Sequence, residues 1–363
     1  MSTFASSPLA RTLWYILKRA VQALVVIILI AVALFLVFYM LPANPAQLSC
    51  GKPCTPEQLQ RVSAFMGTDQ PWYAQLGAYM LGIFAGRTFG TGASAVVCSA
   101  PCLGYSFRLS TPVTTLIAQR FPVTASIAIG AAVLWMLVGV STGVLAAVKR
   151  GTWVDRLLNA LSSIGISSPS YLIGLLAIIV FAIELPLFPS SGYVAFSQNP
   201  LEWLQHMLLP WLVLALLNAA GYTRITRAQM VTELEQDYIR TARSKGVPES
   251  RIIGVHALRN ALLPVMTLFG LDLGSLLGGA VLTEKVFSMQ GLGMLLLDSV
   301  TNLDLQVLVG STLFAAALVI IANLIVDICY SLPASFDQLN NVCKAIGDHQ
   351  GQETGAIIFF LVF

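Results

Sequence analysis

The chain is predicted to be an all-α membrane protein with six membrane-spanning helices, and three observations predict it. Hydrophobic residues make up 56% of 363 positions and charged residues only 10%, far from the roughly even apolar and about one-quarter charged mix of a soluble domain. The apolar residues gather in blocks of about 15 to 24 positions, close to the roughly 20 that carry a helix across a bilayer. Charged or Gly/Pro-rich stretches separate the blocks, where a helix can end and the chain can return to water.

In order, the blocks are Ala20–Leu41, Ser126–Val148, Ser170–Phe188, His206–Tyr222, Ala261–Leu282 and Val307–Tyr330. The first has a basic lead, as a secretory signal does. Its 22 residues exceed a typical signal core and no clean small-residue cleavage site follows, so it is kept as a span. The fourth is short and holds Pro210, which predicts a tilted or kinked crossing, or a helix that continues past Arg224 into water. The chain therefore divides into an N-terminal segment 1–19, a six-span domain 20–332 and a tail 333–363.

Charge placement predicts orientation. A net charge of +3 gives no argument for nucleic acid. With the N-terminus in the cytoplasm, 14 basic residues fall on inner segments, among them Lys18, Arg19, Lys149, Arg150 and the group between Arg224 and Arg259. Only six fall on outer segments that are far longer. The positive-inside rule then places both termini in the cytoplasm.

The loop 42–121 is an external cap in this reading, and 223–260 a basic cytoplasmic loop. Within the cap, Pro71, Trp72, Tyr73, Leu76, Tyr79, Met80, Ile83 and Phe84 repeat at helical spacing over too few residues to cross. A short helix at the outer interface is expected, its aromatic rings at headgroup depth. Ser110 and Thr111 before Pro112 mark a helix start, and Pro122 a break before the second span. Cys50, Cys54, Cys98 and Cys102 form two Cys-x-x-x-Cys pairs on this oxidising side, which points to structural disulfides rather than to a four-thiolate zinc site. Four cysteines allow three pairings, and the sequence does not choose. Cys329 and Cys343, at or past the last span, are expected to be free thiols. The tail turns polar after Ser335 and ends in the apolar run Ala356–Phe363, which is too short to span.

The densest charged stretch runs Asp237-Tyr238-Ile239-Arg240-Thr241-Ala242-Arg243-Ser244-Lys245-Gly246, followed by Arg251-Ile252-Ile253-Gly254-Val255-His256-Ala257-Leu258-Arg259-Asn260-Ala261-Leu262-Leu263-Pro264. On charge alone a solvated inner loop explains it. Its wording changes that balance. The segment closely resembles the cytoplasmic coupling loop of bacterial ABC importer permeases, in the form found in the dipeptide, oligopeptide and nickel permease family (B-type subunit). Asp237, Tyr238, Thr241, Ala242, Arg243, Lys245, Gly246, His256, Ala257, Leu258, Arg259, Asn260, Ala261, Leu262 and Pro264 match. Other stretches resemble the same family: Ala43-Asn44-Pro45-Ala46, Asp69-Gln70-Pro71, Gly151 to Arg156, and Gly278-Gly279-Ala280-Val281 running on to Glu284, Val286-Phe287 and Gly291-Leu292-Gly293. The likeness covers about Arg11 to Tyr330. Arg240-Thr241 departs from the acidic-alanine start of the wider importer motif, the cysteine pairs are unusual, and Pro333-Ala334-Ser335-Phe336-Asp337 replaces the usual ending.

The resemblance implies the type I ABC importer permease fold and a set of partners. These are a second, homologous permease subunit, two cytosolic ABC ATPase subunits, an extracytoplasmic substrate-binding protein and membrane lipid, in the bacterial inner membrane. It implies that the first helix of the loop docks on an ATPase, with Gly246 supplying a backbone break and Arg240, Arg243, Lys245 and Arg251 polar contacts at the rim. ATP and Mg would sit on the ATPases. In this chain Cys50-Gly51-Lys52-Pro53 lacks the upstream glycine and following Ser/Thr of a phosphate loop, and lies on the outer side.

Asp272 falls near the middle of the fifth span, where an ionised acid must face water or a partner. It either lines a translocation pathway and attracts a cationic group such as a peptide amine, or is held by a neighbouring helix. Gly270, Gly274, Gly278 and Gly279 suit close helix packing or a crowded pore. A secondary, ion-coupled transporter could also use Asp272, but no inverted repeat is visible and the coupling-type loop speaks against it. A membrane-embedded enzyme is weaker still, with His206, His256 and His349 scattered and no HExxH or GxSxG pattern.

Overall fold

A computed structural model describes residues 8–37, 46–47, 54–67, 70–90 and 95–346, with side chains throughout these ranges except at 8–13, 15, 61 and 326–346. Cys50, the turn at Ala43 to Pro45, Asp69, the side chains of Cys329 and Cys343, and the tail after Ile346 lie outside the described residues.

Helix α1 (Pro8–Phe35) is followed by two short helices, α2 (Pro56–Met66) and α3 (Trp72–Ala85). Two small antiparallel hairpins come next, β1 (Arg87–Phe89) with β2 (Val96–Cys98) and β3 (Tyr105–Ser106) with β4 (Thr111–Pro112). The long helix α4 (Val113–Val148) leads into α5 (Trp153–Ser167) and α6 (Ser170–Ile178), which a π-helical turn extends to Glu184. Then follow α7 (Pro200–Leu234), α8 (Asp237–Ser244), α9 (Glu249–Leu277), α10 (Val281–Val286), α11 (Leu292–Thr301) and α12 (Leu305–Ile346).

Five of these helices, α1, α4, α7, α9 and α12, are long and apolar enough to cross a membrane, and α5 with α6 passes the same test as a pair bent by 99°. Packing makes that pair a crossing. A Cβ on Gly139 would stand 2.6 Å from Tyr222 Cβ, and one on Gly143 2.6 Å from Thr226 Cβ. Trp211 Nε1 donates to Ser126 O at 2.8 Å, and the Thr142 and Thr223 hydroxyls share a 2.7 Å bond. Both helices ascend in number along this contact, so α4 and α7 run parallel. The chain must return across the bundle between them, and α5–α6 is the segment that does so. Small residues let the two backbones approach, as association in lipid requires when apolar burial gives no drive.

The helices outrun the apolar blocks read from the sequence. α4 begins at Val113 and passes straight through Pro122, where a break was expected, as membrane helices tolerate proline better than helices in water do. α7 runs unbroken through Pro210 and on past Arg224 to Leu234, the continuation foreseen for the fourth block. The stretch between the second and third apolar blocks, from Val148 to Ser170, is helix from Trp153 to Ser167. α9 starts at Glu249 rather than Ala261, and ends at Leu277 rather than Leu282. Gly279, at φ +140°, turns the chain there into α10. The last helix continues past Tyr330 to Ile346, into the polar stretch that was read as the tail.

The main core surrounds the buried Trp135, with Ile127, Met207, Tyr222, Val265, Phe287 and Met289 from α4, α7, α9 and the α10 hairpin. Gly274 and Gly278 meet Val319 and Ala315 of α12, so these two glycines serve helix packing. At one end the cap builds its own cluster. Phe65 stands edge-on to Phe107 at 4.8 Å and stacks on Phe89 at 5.9 Å, beside the Cys98–Cys102 disulfide. Ser106 Oγ donates to Asp304 of the α11–α12 turn, and Tyr79 of α3 is buried against Phe35, Val309 and Leu313. Trp72, Tyr73 and Phe84 of α3 stay exposed. The disulfide removes two thiolates from the zinc alternative, and Cys54 is disulfide-bonded as well.

Candidate functional site

The end of the bundle opposite the cap carries the residues singled out as a coupling loop. α7 runs out to Leu234, and after the extended Gln236 the short α8 begins. Asp237 lies in its first turn and Arg243 in its last, matching the sign of the helix dipole at each end. One side of α8 is apolar: Ile239 is fully buried with Ala147, Met230, Ile252, Ala257 and Ala261, and Ala242 packs against that cluster. Asp237, Arg240, Thr241, Arg243, Lys245 and Gly246 are exposed. Ile239, the anchor that turns the polar side outward, went unnoticed in the sequence, although its place between Tyr238 and Arg240 in an amphipathic turn was the available signal.

The knuckle is closed from within. Lys245 N–H returns to Thr241 O at 3.1 Å, Gly246 N–H to Arg243 O at 3.0 Å and Val247 N–H to Ala242 O at 3.2 Å. Gly246 sits at φ +77° with open space where a Cβ would be. Its requirement is thus one of backbone conformation rather than room. Arg243 grips Glu249 with two donors, at 2.6 and 3.2 Å, across the turn, so this arginine closes the knuckle as well as edging it. Tyr238 OH donates to Glu233 at 2.7 Å and accepts from Asn260 Nδ2 at 3.1 Å. Burial, reinforced by the Glu233 carboxylate, pushes its phenol above the ordinary value. Arg251 and Arg259 are exposed on the first turns of α9, and the His256 carbonyl lies 3.4 Å from Tyr238 OH.

Asp272 lies elsewhere, halfway along the bundle. Tyr222 OH of α7 donates to its Oδ2 at 2.8 Å. The two side chains line a cleft of ≈ 410 Å³ with Gly165, Ile166, Ser168 and Ser170 of the bent pair, Leu217, Asn218, Gly221 and Ile225 of α7, and Leu268 of α9. Asp272 is the one charged group among these lining residues. It therefore meets both descriptions: it is bonded to a neighbouring helix, and it opens on a cleft. The coupling residues and Asp272 do not share a site; α7 and α9 join them.

Two acids besides Asp304 are buried, which the sequence did not indicate. Asp155 of α5 is held by Arg227 of α7 at 2.6 and 2.8 Å, by Gly151 N–H at 3.0 Å and by Asn159 at 2.7 Å. Glu284 of α10 is fully buried; it accepts from Thr124 Oγ1 at 2.7 Å and from Met294 N–H at 2.8 Å, while Leu292 N–H donates to Thr124 Oγ1 at 2.8 Å. A Cβ on Gly291 would stand 2.4 Å from Glu284 Cδ. The run from Gly278 to Gly293 is the hairpin that this carboxylate staples to α4.

A parallel pair of long helices, a bent crossing beside them and an amphipathic knuckle between two spans define a membrane permease of the type I ABC importer fold. Residues 139–333 match the family described as Binding-protein-dependent transport system inner membrane component, and residues 12–128 match its N-terminal companion. The chain belongs to this family: it is a permease subunit of an ABC transport system. A Brucella abortus (strain 2308) protein carried under the name of a peptide transport system permease is 40% identical over 317 residues, 87% of this chain and 96% of that protein. The glutathione transport system permease protein GsiC of Escherichia coli (strain K12) is 37% identical over 317 residues, with the same coverage. The ion-coupled carrier reading is not favoured by these relationships.

Proposed function

We propose that this chain forms half of the translocation pathway of an ATP-driven importer of peptides in a bacterial inner membrane. A homologous second permease completes the pathway, an extracytoplasmic binding protein delivers substrate, and two cytosolic ATPases carry ATP and Mg and perform the hydrolysis. Both termini lie in the cytoplasm, in keeping with the basic residues gathered at the knuckle end. The observation that carries the reading is the knuckle itself. α8 roots an apolar side in the bundle through Ile239 and leaves Asp237, Arg240, Thr241 and Lys245 bare on a short stiff helix, a surface shaped to be gripped from outside the membrane. The relatives named for peptide and glutathione transport support a peptide substrate.

In this reading Asp272 lines the pathway. The cleft offers one carboxylate and no cation among its lining residues, so it suits the ammonium end of a peptide. Affinity purification of this chain from the native membrane should bring down a sister permease and an ATPase, and the complex in liposomes should take up radiolabelled alanyl-alanine or glutathione when ATP and the binding protein are supplied. A chain that purifies alone and moves substrate on an ion gradient would overturn the proposal.

A further inference from the structure

We infer that the ion pair between Asp155 and Arg227 clamps α5 to α7, so that motion imposed on α8 reaches the Asp272 cleft; the inference rests on the transport reading above. Arg227 lies on the last turns of α7, just before the chain enters α8. Asp155 lies in the first turn of α5 and is 4% exposed. The guanidinium meets it with two parallel donors, Nε to Oδ1 at 2.6 Å and Nη2 to Oδ2 at 2.8 Å. Gly151 N–H and Asn159 Nδ2 take up the remaining acceptor positions. A planar fork of this kind fixes direction as well as distance, whereas an apolar contact would let the helices slide.

The other end of α5 reaches the cleft. α5 has 15 residues and so spans about 22 Å. Near its far end a Cβ on Gly165 would stand 2.8 Å from Ala220 Cβ of α7, and Gly165, Ile166 and Ser168 form part of the cleft wall beside the 99° bend. One helix therefore runs from the knuckle end to the cleft, fastened to α7 by charge at the first and by close packing at the second. Stability does not account for the charge, since a buried ion pair is seldom better than a well-packed apolar pair. A second tie between the same segments, Arg150 with Glu235, is more than half exposed on both sides and is too well solvated to hold a helix. Asp155 and Arg227 are thus positioning residues, acting through the helix they fasten.

The test uses the whole importer complex in liposomes and reads substrate taken up per ATP hydrolysed, with alanyl-alanine and glutathione as probes. D155N should assemble and hydrolyse ATP, while uptake per ATP falls by about fivefold or more, the low end of an inter-site coupling. D155E should recover part of it, and E235Q should leave it unchanged. The apolar double variant D155L/R227M restores packing without the fork. A structural role predicts that it transports normally, whereas the clamp predicts stable assembly with the ratio still depressed. Wild-type uptake per ATP in D155N, or in the double variant, overturns the inference. A wild-type complex that takes up neither probe would instead remove the transport reading on which it stands.

Discussion

Tyr222 and Asp272 join α7 to α9 through a 2.8 Å hydrogen bond at the edge of the cleft. The phenol is 3% exposed and its partner is half-buried, so the bond orients the carboxylate without enclosing it. Tyr222→Phe removes the donor and keeps the charge; it should lower stability by about 1 kcal/mol and leave the range of peptides transported intact. Asp272→Asn keeps the contact and removes the charge, and uptake of peptides with a free amino group should fall. Competition assays with a panel of free and N-acetylated peptides measure this, and an unchanged profile in Asp272→Asn removes the acid from the pathway.

Gly246 gives a graded series. Because its φ is +77° and the space around it is open, the penalty falls on backbone and not on volume. Alanine should cost about 1–2 kcal/mol and a β-branched residue more, while asparagine, which visits this region readily, should fold as the glycine does. In complexes, a bulky residue should abolish transport and uncouple ATP hydrolysis while membrane insertion persists. Normal transport by Gly246→Val would count against a coupling role for the knuckle.

Thr124 holds two partners that lie 160 and 168 positions away along the chain, Glu284 and the Leu292 amide. Thr124→Val keeps the shape, orphans the Leu292 amide and takes one of its donors from Glu284. A loss of about 1–3 kcal/mol is expected for buried groups left unsatisfied, read as a lower thermal midpoint of the detergent-solubilised chain. An unchanged midpoint would show that the hairpin is held by its apolar contacts alone.

The α4–α7 contact has no slack at Gly143, where a Cβ would lie 2.6 Å from Thr226 Cβ and 2.8 Å from Thr223 O. Gly143→Val should force the helices apart and sharply reduce folded yield in membranes, whereas Gly151→Ala, where a Cβ meets open space at positive φ, should lose only about 1–2 kcal/mol. Size-exclusion profiles of the two variants make the comparison.

Cys98 and Cys102 should resist maleimide until a reductant is added, since the structure bonds them to each other. Labelling before reduction, followed by mass measurement of the cap peptide, checks the pairing that spacing alone left open.

The sequence carried the architecture in its apolar blocks and the knuckle in its wording, and lost what depends on distant pairs. α5 was missed because Asn159, Ser162, Ser163 and Ser167 dilute its hydropathy, although Leu157, Leu161 and Ile164 stay exposed on it in the isolated chain. Pro122 misled because a proline rule drawn from water overstates the break inside a membrane helix. Asp155 and Glu284 could not be seen as buried, because Arg227 is 72 positions from the one and Thr124 160 from the other. The backbone break at Gly246 was legible because a glycine after a charged amphipathic turn is a local pattern, and local patterns survive in one dimension.

The unbroken run of α7 has a mechanical corollary. Its 35 residues make a rod of about 52 Å, against roughly 30 Å of hydrocarbon, so the rod overhangs the bilayer at the end that bears α8. Pivoting such a rod by ten degrees or so about mid-membrane sweeps its tip through about 6 Å while the residues at the pivot barely shift. A small rotation can thus answer a large displacement of whatever holds the tip, and the bilayer itself supplies the fulcrum.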